Sequence, residues 1–131
     1  MKGALMGTQS FEYDLIPTSM GKLGIHFLGH GSLMLDLEGK IIHVDPFSRV
    51  ANYAELPRAD IIIITHEHPD HLDPEALKQI RTEKTILILT ALCAQQVQGG
   101  TVLKIGENTS LNGILVEAVP AYNIVHTREN G

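Results

Sequence analysis

Four consecutive isoleucines, Ile61 to Ile64, set between Asp60 and Thr65, constrain this chain more than any other feature. A β-branched run without polar alternation reads as a strand covered on both faces, the interior position of a layered α/β sheet. The segment just after this run is polar and dense in metal-type donors: His66-Glu67-His68-Pro69-Asp70-His71. Asp73-Pro74 then supplies an N-cap and a proline for the first helical position, which predicts a helix to about Arg81. The donors therefore lie between the C-terminal end of a buried strand and the start of a helix. Open α/β sheets bind their ligands in that crevice.

The remaining pattern agrees with a layered domain. Leu23 to Leu28, Ser32 to Leu37 and Lys40 to Asp45 read as short strands, the last two joined by the two-residue turn Glu38-Gly39. Phe11 to Ile16 reads as an edge strand closed by Pro17. Residues 1–10 read as a flexible leader, 11–131 as the domain, and 46–59 as irregular. Thr85 to Thr90 predicts a second buried strand, and Ala91 to Gln98 a short helix stopped by Gly99-Gly100. Thr101 to Ile105 predicts another strand, and Asn112-Gly113 a turn into a last one over Ile114 to Val119. Hairpins followed by strand–helix–strand units give an α/β domain, a mixed sheet with flanking helices.

Composition limits the function classes. At 131 residues the chain is one domain, and its net charge of −5 with only 10 Lys and Arg gives no basic track for nucleic acid. No apolar run reaches the length of a membrane span or a secretory signal, so the expected location is cytoplasmic. The single cysteine, Cys93, cannot form an internal disulfide and has no basic neighbour in sequence, so an inert buried thiol is expected.

Three of the seven histidines fall within six residues in the order H-x-H-x-D-H. Imidazole nitrogen and carboxylate oxygen are the donors that zinc, manganese and iron accept at sites kept open for water. His66-Glu67 begins like the helical H-E-x-x-H motif, but Asp70 stands where that motif needs histidine, and Pro69 would break the helix. Thr65-His66-Glu67-His68-Pro69-Asp70-His71 instead resembles the T-H-x-H-x-D-H motif of the metallo-β-lactamase superfamily. Leu28-Gly29-His30-Gly31-Ser32, Val44-Asp45-Pro46 and Ala118-Val119-Pro120-Ala121-Tyr122-Asn123 resemble elements of its branch of lactonase-like metal-dependent hydrolases.

That resemblance implies an αββα sandwich, of which this sequence covers about the N-terminal half. It implies two divalent metal ions, zinc first with manganese or iron as alternatives, held by His66 and His68 at one ion and by Asp70 and His71 at the other. Such ions, about 3.5–4 Å apart, share a hydroxide that attacks carbon or phosphorus. Asp70 is also the expected catalytic residue, orienting that hydroxide. Asp45 is expected to hold a ligand histidine from behind, and His30 either to line the site or to fill a turn. His26 and His43 are expected to be strand residues and not ligands.

The implied site needs a third histidine, a bridging aspartate in a G-D-T segment and a final histidine. Only His126 comes after His71, and no G-D-T segment is present. His126 could be that third ligand, but in the branch this sequence resembles the histidine follows the Pro120-Ala121-Tyr122-Asn123 segment by a longer polar loop, which would put it beyond Gly131. A half-sandwich would expose an apolar sheet face, so truncation, or a second copy covering that face, is expected. The functional expectation is a metal-dependent hydrolase of a small ester, lactone or phosphoester. Its rivals are a nuclease of the same fold and a truncated, catalytically incomplete domain.

Overall fold

At Glu38-Gly39 the chain reverses through two left-handed residues, with φ of 49° and 88°, the geometry of a tight type I′ hairpin. Leu37 and Lys40 pair across it, and this sets the register of the two strands it joins. A computed structural model describes residues 2–6, 9–111 and 113–120, the first of these segments by its backbone. Strands β1 (Lys2–Met6), β2 (Gln9–Thr18), β3 (Gly21–Gly29), β4 (Ser32–Leu37) and β5 (Lys40–Val44) pair antiparallel in sequence order. Parallel pairing then adds β6 (Ile61–Ile63), β7 (Ile86–Leu89) and β8 (Thr101–Val102), giving one mixed eight-stranded sheet.

The parallel strands require crossovers on one face. The segment after β5 passes through a short 3-10 turn (Tyr53–Glu55), and α1 (Pro74–Ile80) joins β6 to β7. Asp73 caps α1 by accepting the Glu75 amide at 3.0 Å, with Pro74 at the first helical position, as its sequence predicts. Ala76, Leu77 and Ile80 are buried from α1 against Tyr53, Ile62, Ile64 and Leu87. A hairpin of β9 (Asn108–Leu111) and β10 (Ile114–Glu117) lies on the other face. It covers Ile42, Ile61 and Ile88 with Leu111, Ile114 and Val116.

Four expectations change. Residues 2–6 of the expected leader form β1, because the edge of β2 offers unpaired backbone that a strand of any sequence can satisfy. Pro17 does not close β2. It lies beyond the stretch that β1 pairs, facing only Lys22 of β3, where a missing amide costs no bond to β1. The helix expected over Ala91 to Gln98 is α2 (Ala91–Ala94) alone. Its continuation tightens into a turn in which Gln96 N–H donates to the Cys93 carbonyl. Cys93 is its only fully buried side chain, too small an apolar face to hold a longer helix. The polar strand β9 has no apolar alternation to mark it, yet its hairpin with β10 covers part of the sheet face expected to lie bare. Among the described residues no helix is long and apolar enough to cross a membrane.

Candidate metal centre

The loop between β6 and α1 is folded by its own backbone. The amides of His71 and Leu72 both donate to the His68 carbonyl, at 2.9 and 2.8 Å. Pro69, second in that turn, has a preset φ and no amide to leave unpaired. The reversal carries His71 over His66, with ring centroids 3.9 Å apart, and leaves His68 edge-on to His66 at 4.5 Å.

Asp45, at the end of β5, fastens this loop to the sheet. Its φ of 45° is left-handed, which Asp tolerates better than most residues, and it is buried. Its Oδ1 accepts the Thr65 amide at 2.7 Å, and its Oδ2 accepts the Thr65 hydroxyl at 2.6 Å and His71 Nδ1 at 2.7 Å. Beneath it, the Ser32 hydroxyl donates to the Asp45 carbonyl at 2.6 Å. The fully buried Tyr53 shares a hydrogen bond with Ser32 and accepts the Phe47 amide at 3.1 Å. Burial lifts the Tyr53 phenol above its ordinary pKa, so it stays a neutral strut.

The far nitrogen of His71, Nε2, stands 3.5 Å from Asp70 Oδ2. With Nδ1 donating to Asp45, an uncharged ring turns a lone pair toward that carboxylate. Two acceptors then face each other, and a cation between them, a proton or a metal ion, makes the contact favourable. Asp70 Oδ2 also accepts His30 Nε2 at 2.7 Å, and this bond holds the Asp70 carboxyl below its ordinary pKa. His30 has a φ of 53° between Gly29 and Gly31. It therefore fills a turn and reaches the rim of the cluster at once.

A family model for the β-lactamase superfamily domain matches residues 24–131. The chain belongs to that superfamily. The protein is similar to the UPF0173 metal-dependent hydrolase of Methanopyrus kandleri, 25% identical over 82% of this chain and 50% of that one. A relative of the same description from Thermococcus kodakarensis is 29% identical over 76% and 47%. Among solved structures, a proposed metal-dependent hydrolase from Parabacteroides distasonis superposes with a TM-score of 0.83 at 43% identity, over 88% of this chain and 53% of that one. The metallo hydrolase Igni18 of Ignicoccus hospitalis shares the fold, with a TM-score of 0.60 at 19% identity over 83% and 52%. The chain spans about half the length of the relatives it matches.

Within this superfamily chain, the donors that converge differ from those expected. Ligand atoms of Asp45, His66 and His71 lie within 4.8 Å of one another, whereas His68 and Asp70 fall outside that set. Asp45 has both oxygens engaged and suits a place behind His71. Asp70, half-buried, faces His71 Nε2 directly. Imidazole nitrogens with a carboxylate fit zinc, manganese or iron. His26 stacks on Tyr13 at 5.2 Å, and His43 and Cys93 are fully buried away from the loop. His126 and the segment Ala121-Tyr122-Asn123 lie outside the described residues. Ser32, Tyr53 and Thr65 carry the scaffold of Asp45, and residue spacing marks none of them for that task. Thr65 stands out by its place before His66 at a strand end and Ser32 by its place in the Gly29-His30-Gly31-Ser32 element, while nothing flags Tyr53.

Gly31 gives His71 its room. A Cβ there would lie 2.6 Å from His71 Cε1, and the ring cannot swing away without leaving Asp45. Gly31→Ala should therefore weaken zinc binding about 10-fold or more while the circular dichroism spectrum stays unchanged. Competition with a chromophoric chelator measures this, and an unaltered affinity would refute the role given to Gly31.

Proposed function

We propose that this chain is the ligand-bearing part of a metal-dependent hydrolase acting on a small ester, lactone or phosphoester. The observation that carries the reading is the approach of His71 Nε2 to Asp70 Oδ2 at 3.5 Å, with the other His71 nitrogen tied to Asp45. In this reading His66, His68, Asp70 and His71 are the ligands, zinc the first candidate, and Asp45 and His30 orient His71 and Asp70. Divalent ions, when bound, supply Lewis acidity and lower the pKa of water to about 7. The rest falls to the side chains. Asp70, tethered by His30 and held ionised, is a poor store for a proton, so its part is to orient the attacking water. The net charge of −5 favours a small substrate over a polyphosphate chain.

The test is hydrolysis of a nitrophenyl ester, a lactone and a nitrophenyl phosphodiester, with chelator and with zinc or manganese restored. Activity should vanish with chelator and return with metal, and Asp70→Asn should lower kcat by about 100-fold. Chelator-indifferent turnover, or cleavage of nucleic acid alone, would overturn the reading.

A further inference from the structure

We propose that Thr65 is a positioning residue whose hydroxyl relays the carboxylate of Asp45 to His66 and so sets which nitrogen His66 offers to a metal. This rests on the reading of His66 as a ligand. Thr65 Oγ1 lies 2.6 Å from Asp45 Oδ2 and 2.9 Å from His66 Nδ1. A hydroxyl has one hydrogen and a carboxylate has none, so the shorter, charge-assisted bond takes the Thr65 proton. His66 Nδ1 must then be the donor in the second bond. Its Nε2 is left with the lone pair.

The same Asp45 oxygen accepts His71 Nδ1 at 2.7 Å. One oxygen thus sets the tautomers of two rings, one directly and one through a hydroxyl, and both present Nε2. The separate bond from the Thr65 amide to Asp45 Oδ1, at 2.7 Å, fixes the backbone whatever the side chain does. Thr65→Val therefore removes the relay at nearly constant shape, and Thr65→Ser keeps it.

Imidazole nitrogen NMR of the metal-free full chain reads the tautomer, and zinc titration against a chromophoric chelator reads the affinity. The wild type and Thr65→Ser should hold His66 with its proton on Nδ1. Thr65→Val should shift His66 toward the other tautomer, leave His71 unchanged, and weaken zinc binding 10- to 100-fold. A His66 tautomer unmoved in Thr65→Val overturns the relay. A moved tautomer with unchanged zinc affinity shows that His66 is not a ligand, which overturns both the proposal and the functional reading beneath it.

Discussion

Asp45→Asn is expected to cost the fold about 3 kcal/mol and to weaken metal binding about 100-fold. The substitution is nearly isosteric, and Asn tolerates a left-handed backbone as Asp does, so the φ of 45° at this position is kept. What changes is the acceptor count. The carboxylate receives three donors, the Thr65 amide, the Thr65 hydroxyl and His71 Nδ1. An amide has a single acceptor oxygen and turns an NH2 toward whichever donors it cannot satisfy. If the oxygen keeps the Thr65 amide, His71 must give up its Nδ1 proton and carry it on Nε2, the atom that faces Asp70. Urea unfolding and zinc competition on the same samples separate the two effects. Unchanged zinc affinity in a folded Asp45→Asn protein would remove Asp45 from the site.

The parallel half of the fold was readable because its signals are strong and local. The isoleucine run reads as an interior strand, and Asp73-Pro74 supplies a cap and a first-turn proline for a helix. Elements that depend on a partner were not readable. Strand β1 exists by pairing with the edge of β2, and β9 is a polar strand made by its hairpin with β10 and the sheet face beneath. Neither leaves a periodic trace in its own residues.

The candidate site divides along the same line. His66, His68, Asp70 and His71 are close in sequence and were visible as a motif. What aims them comes from a distance. Ser32, Asp45 and Tyr53 meet only because β4 is antiparallel to β5 and the chain after β5 returns beneath them. Asp45 was legible through its strand-end position before Pro46. Tyr53 was not, since a tyrosine in an irregular stretch reads as any other surface aromatic. The motif states which residues could bind, and Asp45, brought in from another strand, accepts the Nδ1 proton of His71.

Acid should begin to destabilise this protein before its carboxylates are protonated. His43 is fully buried beside the Tyr53 ring, with centroids 5.6 Å apart. Its Nε2 donates to the Pro57 carbonyl at 3.0 Å, and among the described residues its Nδ1 has no partner. Burial, only partly opposed by that carbonyl, lowers its pKa from 6.5 to about 4. An unfolded chain therefore binds a proton on this residue below pH 6.5 that the folded chain refuses until about pH 4. Stability from His43 is complete above the unfolded value and falls across that window, by about 3 kcal/mol in all. His26, lowered mainly by burial, acts in the same direction. Asp70 is lowered by its bond from His30. At Asp73 burial pushes upward, but the bonds from Ser48 and Glu75 outweigh it. Their stabilisation is present above the ordinary carboxylate pKa of 3.8 and is lost only as pH falls below it, so the two windows separate. Urea unfolding of chelator-treated protein at neutral pH and near the lower edge of the window should show the loss in the wild type. His43→Gln, which keeps an N–H donor and cannot titrate, should flatten most of it. Equal acid sensitivity in the two proteins would shift the cause to the loop histidines.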